Sequence, residues 1–337
     1  MNAADPPNRV KIADVARAAG VSKTLASFAL NDKPGVSAKS KARILAVANE
    51  LGYKRDPFAL ALRAGQSNTY GFVVRNLRNA YFLDVIDSAQ NAANALGATL
   101  VTVNSDFSSE RELTMTENLA DNRIAGLAIT PIGDGPGLRY WHKHFPDAPT
   151  VVINSINSFG SDLIYVTPDL LESARLAARH LAELGHRRIA LLTPPAEAST
   201  ERDRISAFLS TCVELGVVGE MLHAPLSFEA VRAECHRLFR SGSPVTGIVT
   251  NSDYTAHAVV QAARDYGLRI GRELSIIGHD DLATSPLLDP PLTSIRYDLR
   301  MIGQKMFLRL ARAEKGNHVE PVELIPRASS GPPVPRR

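Results

Sequence analysis

From Thr69 onward, short apolar runs alternate with amphipathic stretches, and this alternation restricts the fold more than any other feature of the 337-residue chain. Strands are expected at 70–74, 99–103, 126–130 and 150–154, with helices at 82–96 and 110–122 between them. A second series follows, with strands near 188–193, 247–250 and 274–277 and helices at 170–184, 201–215, 228–240 and 253–266. Parallel strands need a crossover of a dozen or more residues, and a helix supplies one. Alternation of this kind therefore predicts doubly wound parallel sheets. Two series predict two lobes, with the cleft between them as the default ligand site.

Residues 11–31, KIADVARAAGVSKTLASFALN, have a different character. Ile12, Val15, Ala16 and Ala19 share the inner face of a helix over 12–19. Gly20 then accepts the left-handed conformation cheaply and ends it. Ser22 can cap a second helix over 23–30. That helix turns Leu25, Ala26, Ala29 and Leu30 inward and leaves Lys23, Thr24, Ser27 and Phe28 outward. The arrangement is that of a helix-turn-helix, whose second helix enters the DNA major groove. An ordinary helical hairpin has the same pattern. A third helix, capped by Ser37, carries Ile44, Leu45, Ala48 and Leu51 on one face and Lys39, Lys41 and Arg43 off it. The segment 56–63, DPFALALR, is helical in pattern but too short to stand alone, and 64–68 reads as a linker.

Charge separates the same regions. Residues 1–66 hold eleven Lys/Arg and five Asp/Glu, a net +6, whereas the remaining 27 basic and 30 acidic residues give −3. A basic head on a mildly acidic body expects a polyanionic partner for the head alone. The opening residues lack the apolar core of a signal peptide, and no run of about 18 apolar residues could span a membrane. The expected compartment is the bacterial cytoplasm. Cys212 and Cys235 fall in predicted helices and read as buried free thiols, Cys235 standing beside His236 without a metal set. His142 and His144 in a loop beside Trp141 are too few ligands for zinc, and GDGPG at 133–137 reads as a turn. P-loop, nucleophile-elbow, HExxH and CxxC signatures are missing, so no enzyme, metal or cofactor is expected.

The run from Val10 to Val74, VKIADVARAAGVSKTLASFALN…GVSAKSKARILAVANELGYKRDPFALALRAGQSNTYGFVV, resembles the start of the lactose/galactose-repressor family of bacterial transcription regulators. ARHLAELGHRRIALL at 178–192 and LSIIGHDDLATSPLLDPPLTSIR at 274–296 extend the likeness into the family's second lobe. The resemblance implies an α/β chain in three parts: a helix-turn-helix head at 1–55, a hinge helix and linker at 56–68, and a two-lobed periplasmic-binding-protein-like effector-binding and dimerisation domain at 69–337. It implies that the chain passes back between lobes after about Pro291. The C-terminal leucine heptads of some members are absent, which favours a homodimer, and the tail SSGPPVPRR is expected to be frayed.

What the resemblance implies for DNA falls on particular residues. Lys23 and Thr24 match positions that read base edges, with Phe28 one turn later. Phe28 departs from the arginine of many relatives; a phenyl ring cannot donate, but it can touch a thymine methyl or pack inward. A plain phosphate contact is the alternative for Lys23. Phosphate contacts are expected from Lys11, Ser22, Ser27, Asn31 and the face 39–43, with Asn31 also suited to a C-terminal cap. Tyr53 and Arg55 could reach phosphate beside a hinge helix that folds on DNA. There Ala59 permits close approach and Leu62 wedges into the minor groove, unless Leu62 simply packs on the sensor.

For the effector, Arg204 in ERDRISAF and Asp280 after SIIGHD match the family's binding arginine and aspartate. A guanidinium and a carboxylate facing across a cleft suit the hydroxyls of a sugar; a salt bridge is the plainer reading. Thr200, Phe228, Ser252, Arg75 and Asn76 are further candidates. Arg75 is unusual at its position and leaves an anionic sugar derivative open. The expected partners are double-stranded operator DNA, a sugar-like effector and a second copy of the chain. The competing class, a periplasmic-type binding protein with no DNA role, would carry a signal peptide and lack the basic head.

Overall fold

The computed structural model describes residues 10–53, 67–155, 159–194, 201–312 and 314–334. The chain divides into two units, Met1–Ser67 and Asn68–Arg337. In the first, α1 (Ile12–Ala18), α2 (Lys23–Leu30) and α3 (Ala38–Glu50) close on Val15, Ala16, Ala19, Ala26, Ala29, Leu30, Ile44 and Ala48. Gly20 has φ +62°, and the Val21 N–H donates back to the Ala16 carbonyl at 3.0 Å, completing the turn that ends α1. Ser22 Oγ accepts from the Leu25 N–H at 3.1 Å and Ser37 Oγ from the Ser40 N–H at 3.2 Å, so both expected caps form. The expected inner face of α3 is narrower than its pattern suggested. Leu45 is 40 % exposed and Leu51 38 %, because Ile44 and Ala48 alone occupy one stripe and Leu51 already lies past the helix end.

The second unit is α/β. One sheet has the order β11-β5-β4-β3-β1-β2 and is parallel throughout. Its strands are β1 (Thr69–Val74), β2 (Thr99–Asn104), β3 (Leu127–Ile129), β4 (Thr150–Ile153), β5 (Ile164–Pro168) and β11 (His318–Glu320). The other has the order β12-β10-β9-β8-β6-β7, built from β6 (Arg188–Thr193), β7 (Val218–His223), β8 (Gly247–Val249), β9 (Ser275–His279), β10 (Thr293–Arg296) and β12 (Glu323–Ile325). Here β12 runs antiparallel to β10, the one departure from an all-parallel expectation. Both sheets share the doubly wound 2-1-3-4-5 order.

Helices α4 (Tyr81–Ala95), α5 (Ser109–Asp121), α6 (Pro136–His144) and α11 (Leu299–Leu310) flank the first sheet. Helices α7 (Leu170–Glu183), α8 (Arg202–Glu214), α9 (Phe228–Arg240) and α10 (Asp253–Asp265) flank the second. His142 and His144 therefore lie on α6 rather than in a loop, and the GDGPG turn runs straight into that helix at Pro136. Cys212 and Cys235 are buried free thiols, pushed up to about 11 and about 12 by desolvation.

The chain crosses between lobes three times: from β5 to α7, from β10 to α11, and from β11 to β12. The Asp169 N–H donates to the Glu320 carbonyl at 2.9 Å, which stitches two of the crossings together. Gly303 makes the second crossing productive. A Cβ there would collide with the Val85 carbonyl oxygen and Ser88 Oγ, so α11 lies against α4 only because the side chain is missing. Through Val334 the tail expected to fray is instead built in; residues 335–337 lie outside the described residues. Ser329 is fully buried, its carbonyl accepting from the Ile276 N–H at 2.9 Å and its Oγ from the Thr293 N–H at 2.8 Å. The Val334 N–H reaches the Arg272 carbonyl at 2.9 Å. Among the described residues no helix is long and apolar enough to cross a membrane.

Candidate functional site

In the first unit, the exposed side of α2 carries Lys23 and Thr24 in its first turn and Phe28 one turn on. Phe28 is 36 % exposed and does not turn inward; the Lys33 Nζ stands 5.9 Å from its ring centroid. Asn31 Nδ2 donates to the Ser27 carbonyl at 2.7 Å, so that donor closes the end of α2. Lys11 opens α1, its backbone N–H held by Asp14 at 2.9 Å, and its ammonium remains on the exposed surface. On α3, Lys41 is paired with Asp32, while Arg43 lies over Gly20. Tyr53 packs half-buried on the three-helix core. Arg55, Ala59 and Leu62, with the proposed hinge 56–64, lie outside the described residues.

In the second unit, a slot opens where the C-terminal ends of the strands from the two lobes meet, the position that a doubly wound sheet offers a ligand. It is narrow, with an enclosed volume of about 30 Å3 and about 360 Å3 of space when the open mouth is included. Arg75 follows β1, Phe107 follows β2 and Asn154 follows β4. From the other lobe come Leu226 after β7, Asn251 and Ser252 after β8, and Asp280 after β9. Phe107, Asn154 and Asp280 hold φ of +57°, +55° and +111°. Left-handed backbone at three non-glycine positions around one slot is strain of the kind that collects at binding sites.

Asp280 is buried. Its Oδ1 accepts from the Tyr297 hydroxyl at 2.6 Å and faces His279 Nδ1 at 3.2 Å, whereas Oδ2 has no partner. Desolvation pushes its carboxyl up to about 7, against the pull of the Tyr297 hydrogen bond and the charge of Arg204. Burial, with Arg204 nearby, keeps His279 neutral, well below the usual histidine range. Neighbouring Asp253 heads α10 and is likewise pushed up to about 7 by burial. It accepts from the Leu282 N–H at 2.9 Å and the Ser294 hydroxyl at 2.6 Å, which fixes the loop after Asp280.

Arg204 and Asp280 do not face each other across the cleft, because both belong to the second lobe. Arg204 is 3 % exposed, donating from Nη2 to the Thr250 carbonyl at 2.9 Å and from Nη1 to Glu201 at 3.5 Å, with Nε unpartnered. It stands behind the slot rather than in its wall. Asn76 is buried beside Arg75, its Oδ1 spent on the Arg78 N–H at 2.9 Å. Phe228 is elsewhere, packed half-buried on the second-lobe core and bordering a separate groove along α9. Thr200 lies outside the described residues. Asn79, Tyr81, Phe82, Asn154, Asn251 and Tyr254 line the slot and were not anticipated. Their common signal is position just beyond a strand's C-terminal end or at the start of the helix that follows.

Residues 11–56 match the family model described as bacterial regulatory proteins, lacI family, and residues 178–330 match a periplasmic binding protein-like domain. The transcriptional regulator reg1 of Streptomyces lividans is 30 % identical over 306 residues, 87 % of each chain. The transcriptional regulator DegA of Bacillus subtilis is 27 % identical over 96 % of this chain and 99 % of its own length. Among solved structures, the lac repressor dimer bound to operator and the anti-inducer ONPF superposes with a TM-score of 0.81 at 26 % identity, covering 96 % of this chain and all of that one.

Proposed function

The chain belongs to the lacI family of bacterial regulatory proteins, and from that premise we propose that it represses transcription as a homodimer on a pseudo-palindromic operator, under the control of a small sugar-like effector held between the lobes. A DNA-binding transcriptional regulator is what such a family member is; the sign, the symmetry and the effector are the reading proposed here. Its parts are the head at 1–55, the hinge at 56–68 and the sensor at 69–337, at work in the bacterial cytoplasm.

The observation that carries the reading is the surface of α2. A capped helix presents Lys23, Thr24 and Phe28 outward from a basic unit, while its other face is consumed by the core. Lys23 and Thr24 contact bases or adjoining phosphates, and Phe28 meets the methyl of a thymine. Lys11, Ser22, Ser27, Asn31, Tyr53 and Arg55 brace the backbone around them. Ala59 and Leu62 serve the hinge, with Leu62 wedged into the minor groove. Exposed apolar side chains on the edge strands, Val101 on β2 and Val218 on β7, support pairing of two sensors.

Arg75, Ser252 and Asp280 hold the effector directly, with Asn76 and Arg204 behind them, and Thr200 is a further contact; Phe228 has no place in this site. An effector acts only through its different affinity for the DNA-competent and incompetent arrangements. Selection of bound sequences from random duplexes at two salt concentrations tests the reading. Recovery of a two-fold symmetric site with steeply salt-dependent affinity is expected; unselective binding alone would overturn it.

A further inference from the structure

The slot between the lobes presents amide and guanidinium donors that form no hydrogen bond with any described residue. Asn79 Oδ1 accepts from the Tyr81 N–H at 3.1 Å, Asn154 Oδ1 from the Tyr81 hydroxyl at 2.9 Å, and Asn251 Oδ1 from the Thr255 hydroxyl at 2.8 Å. With each amide oxygen engaged inside the protein, the three amide nitrogens are what these side chains offer to an occupant. Arg75 adds a guanidinium. Its backbone is tied, N–H to Thr130 Oγ1 at 3.0 Å and carbonyl to the Phe107 N–H at 2.9 Å. Its side chain, however, forms no hydrogen bond or ion pair with any described residue. Beside this donor set stands the Asp280 carboxylate, which the Asp253 N–H also approaches and whose buried Oδ2 has no hydrogen-bond partner among the described residues.

A neutral polyol does not match that inventory. It would satisfy Asp280 but leave the half-buried guanidinium of Arg75 with no directly paired anion, only the through-space charge of Asp280, whose carboxyl burial pushes up to about 7. An oxygen-rich anion satisfies it, because a carboxylate or phosphate accepts several N–H donors at once and charge-assisted bonds are about twice as strong as neutral ones. We propose that the occupant is a hydroxylated anion whose carboxylate or phosphate group sits on Arg75 and the asparagine amides, and whose hydroxyl hydrogen-bonds with Asp280 Oδ2. The assignment rests on the interlobe effector site described above. An anion beside Asp280 favours its protonated form, which burial already brings near neutral pH, and in that form Oδ2 donates to the ligand hydroxyl instead of accepting from it. Since Arg75 belongs to the first lobe and Asp280 to the second, such a ligand bonds to both, and each end contributes to affinity.

Calorimetric titration of the full-length protein with matched pairs tests this. Gluconate is set against sorbitol and glucose 6-phosphate against glucose, with inorganic phosphate alone as the control for charge without hydroxyls. The expected result is that at least one of the two acids binds about tenfold or more tightly than its neutral counterpart, and the pair that shows it tells carboxylate from phosphate. Arg75→Gln should abolish that difference, and Arg75→Lys should restore part of it. Neutral members binding as well as the acids, neither acid binding, phosphate binding as tightly as its sugar ester, or a preference that survives Arg75→Gln would each overturn the proposal. Asp280→Asn separates the two layers. Loss of affinity for acids and neutral members alike supports the slot as the site, whereas unchanged acid binding means that the interlobe reading itself has failed.

Discussion

The Tyr297 hydroxyl donates to Asp280 Oδ1 over 2.6 Å, and this bond joins the mouth of the slot to the place where the chain leaves one lobe for the other. Asp280 ends a second-lobe strand, whereas Tyr297 packs in the core beneath the first-lobe helices, as does Leu282 two residues beyond Asp280. A displacement of one lobe against the other is therefore felt at the carboxylate that a ligand would touch.

Tyr297→Phe should weaken this junction. The ring remains in the core, but Asp280 loses its shortest hydrogen bond and its carboxyl moves further above the usual range. A loss of about 1–2 kcal/mol in urea unfolding is expected. An unchanged midpoint and slope would show that the bond contributes nothing to folding.

Gly303→Ala should be more damaging than its size suggests. The added methyl group meets the Val85 carbonyl and Ser88 Oγ, so α11 must move off α4. A cost of about 1–3 kcal/mol follows from overpacking of this kind, although alanine is the better helix former by about 1 kcal/mol. Thermal unfolding decides: a raised Tm would mean that the two helices are not held at this distance.

Glu112 gives the sensor a pH dependence. Its buried carboxyl accepts from the Ile132 N–H at 2.6 Å and the Gly137 N–H at 2.9 Å, yet desolvation dominates and pushes it up to about 7. Between its ordinary value of 4.5 and about 7 the folded chain keeps a proton that the unfolded chain releases. This stabilising contribution is complete below that window and is lost as pH rises through it. Glu112→Gln should flatten the fall in Tm between about pH 5 and about pH 8; identical slopes in the two proteins would contradict the assignment.

Phe28→Ala should alter base preference at one position of each half-site while leaving the salt dependence of binding unchanged, because a phenyl ring neutralises no phosphate. Lys23→Ala should lower the salt slope by about one if Lys23 meets the backbone. Sequence selection repeated on each variant separates the two effects, and an unaltered site logo for Phe28→Ala would remove it from base reading.

The head was legible because its signals are local. Gly20, the Ser22 and Ser37 caps and the apolar spacing of α1 and α2 are each read within a few residues. The strands of the sensor were legible where the apolar run is continuous, as at 188–193 and 247–250, and not where polar residues interrupt it, as at Val218–His223, His318–Glu320 and Glu323–Ile325. The helix Leu299–Leu310 was missed as an element. The glycine at its centre argues against a helix locally and is needed only because another helix, over 200 residues earlier in the sequence, lies against it. The slot divides in the same way. Arg75 is found at a strand end, and Ser252 and Asp280 through the family resemblance, but the role of Asn154 depends on Tyr81, 73 residues away. Arg204 illustrates the limit, for no pattern distinguishes an arginine in a wall from one behind it.

The three crossings have a consequence for how the protein is made. One of the four helices that cover the first lobe is α11, and one of its strands is β11, yet both lie within the last forty residues of the chain. On a ribosome adding about 5–20 residues per second, the head emerges early and can close on its own core, while the lobe that begins next must wait for nearly the whole message to be read. A stop codon anywhere before residue 299 would thus leave a DNA-reading fragment attached to a sensor with exposed core. Neither lobe is a contiguous stretch of gene that recombination could lift out and exchange; new ligand preferences in this scaffold have to come from substitutions in place.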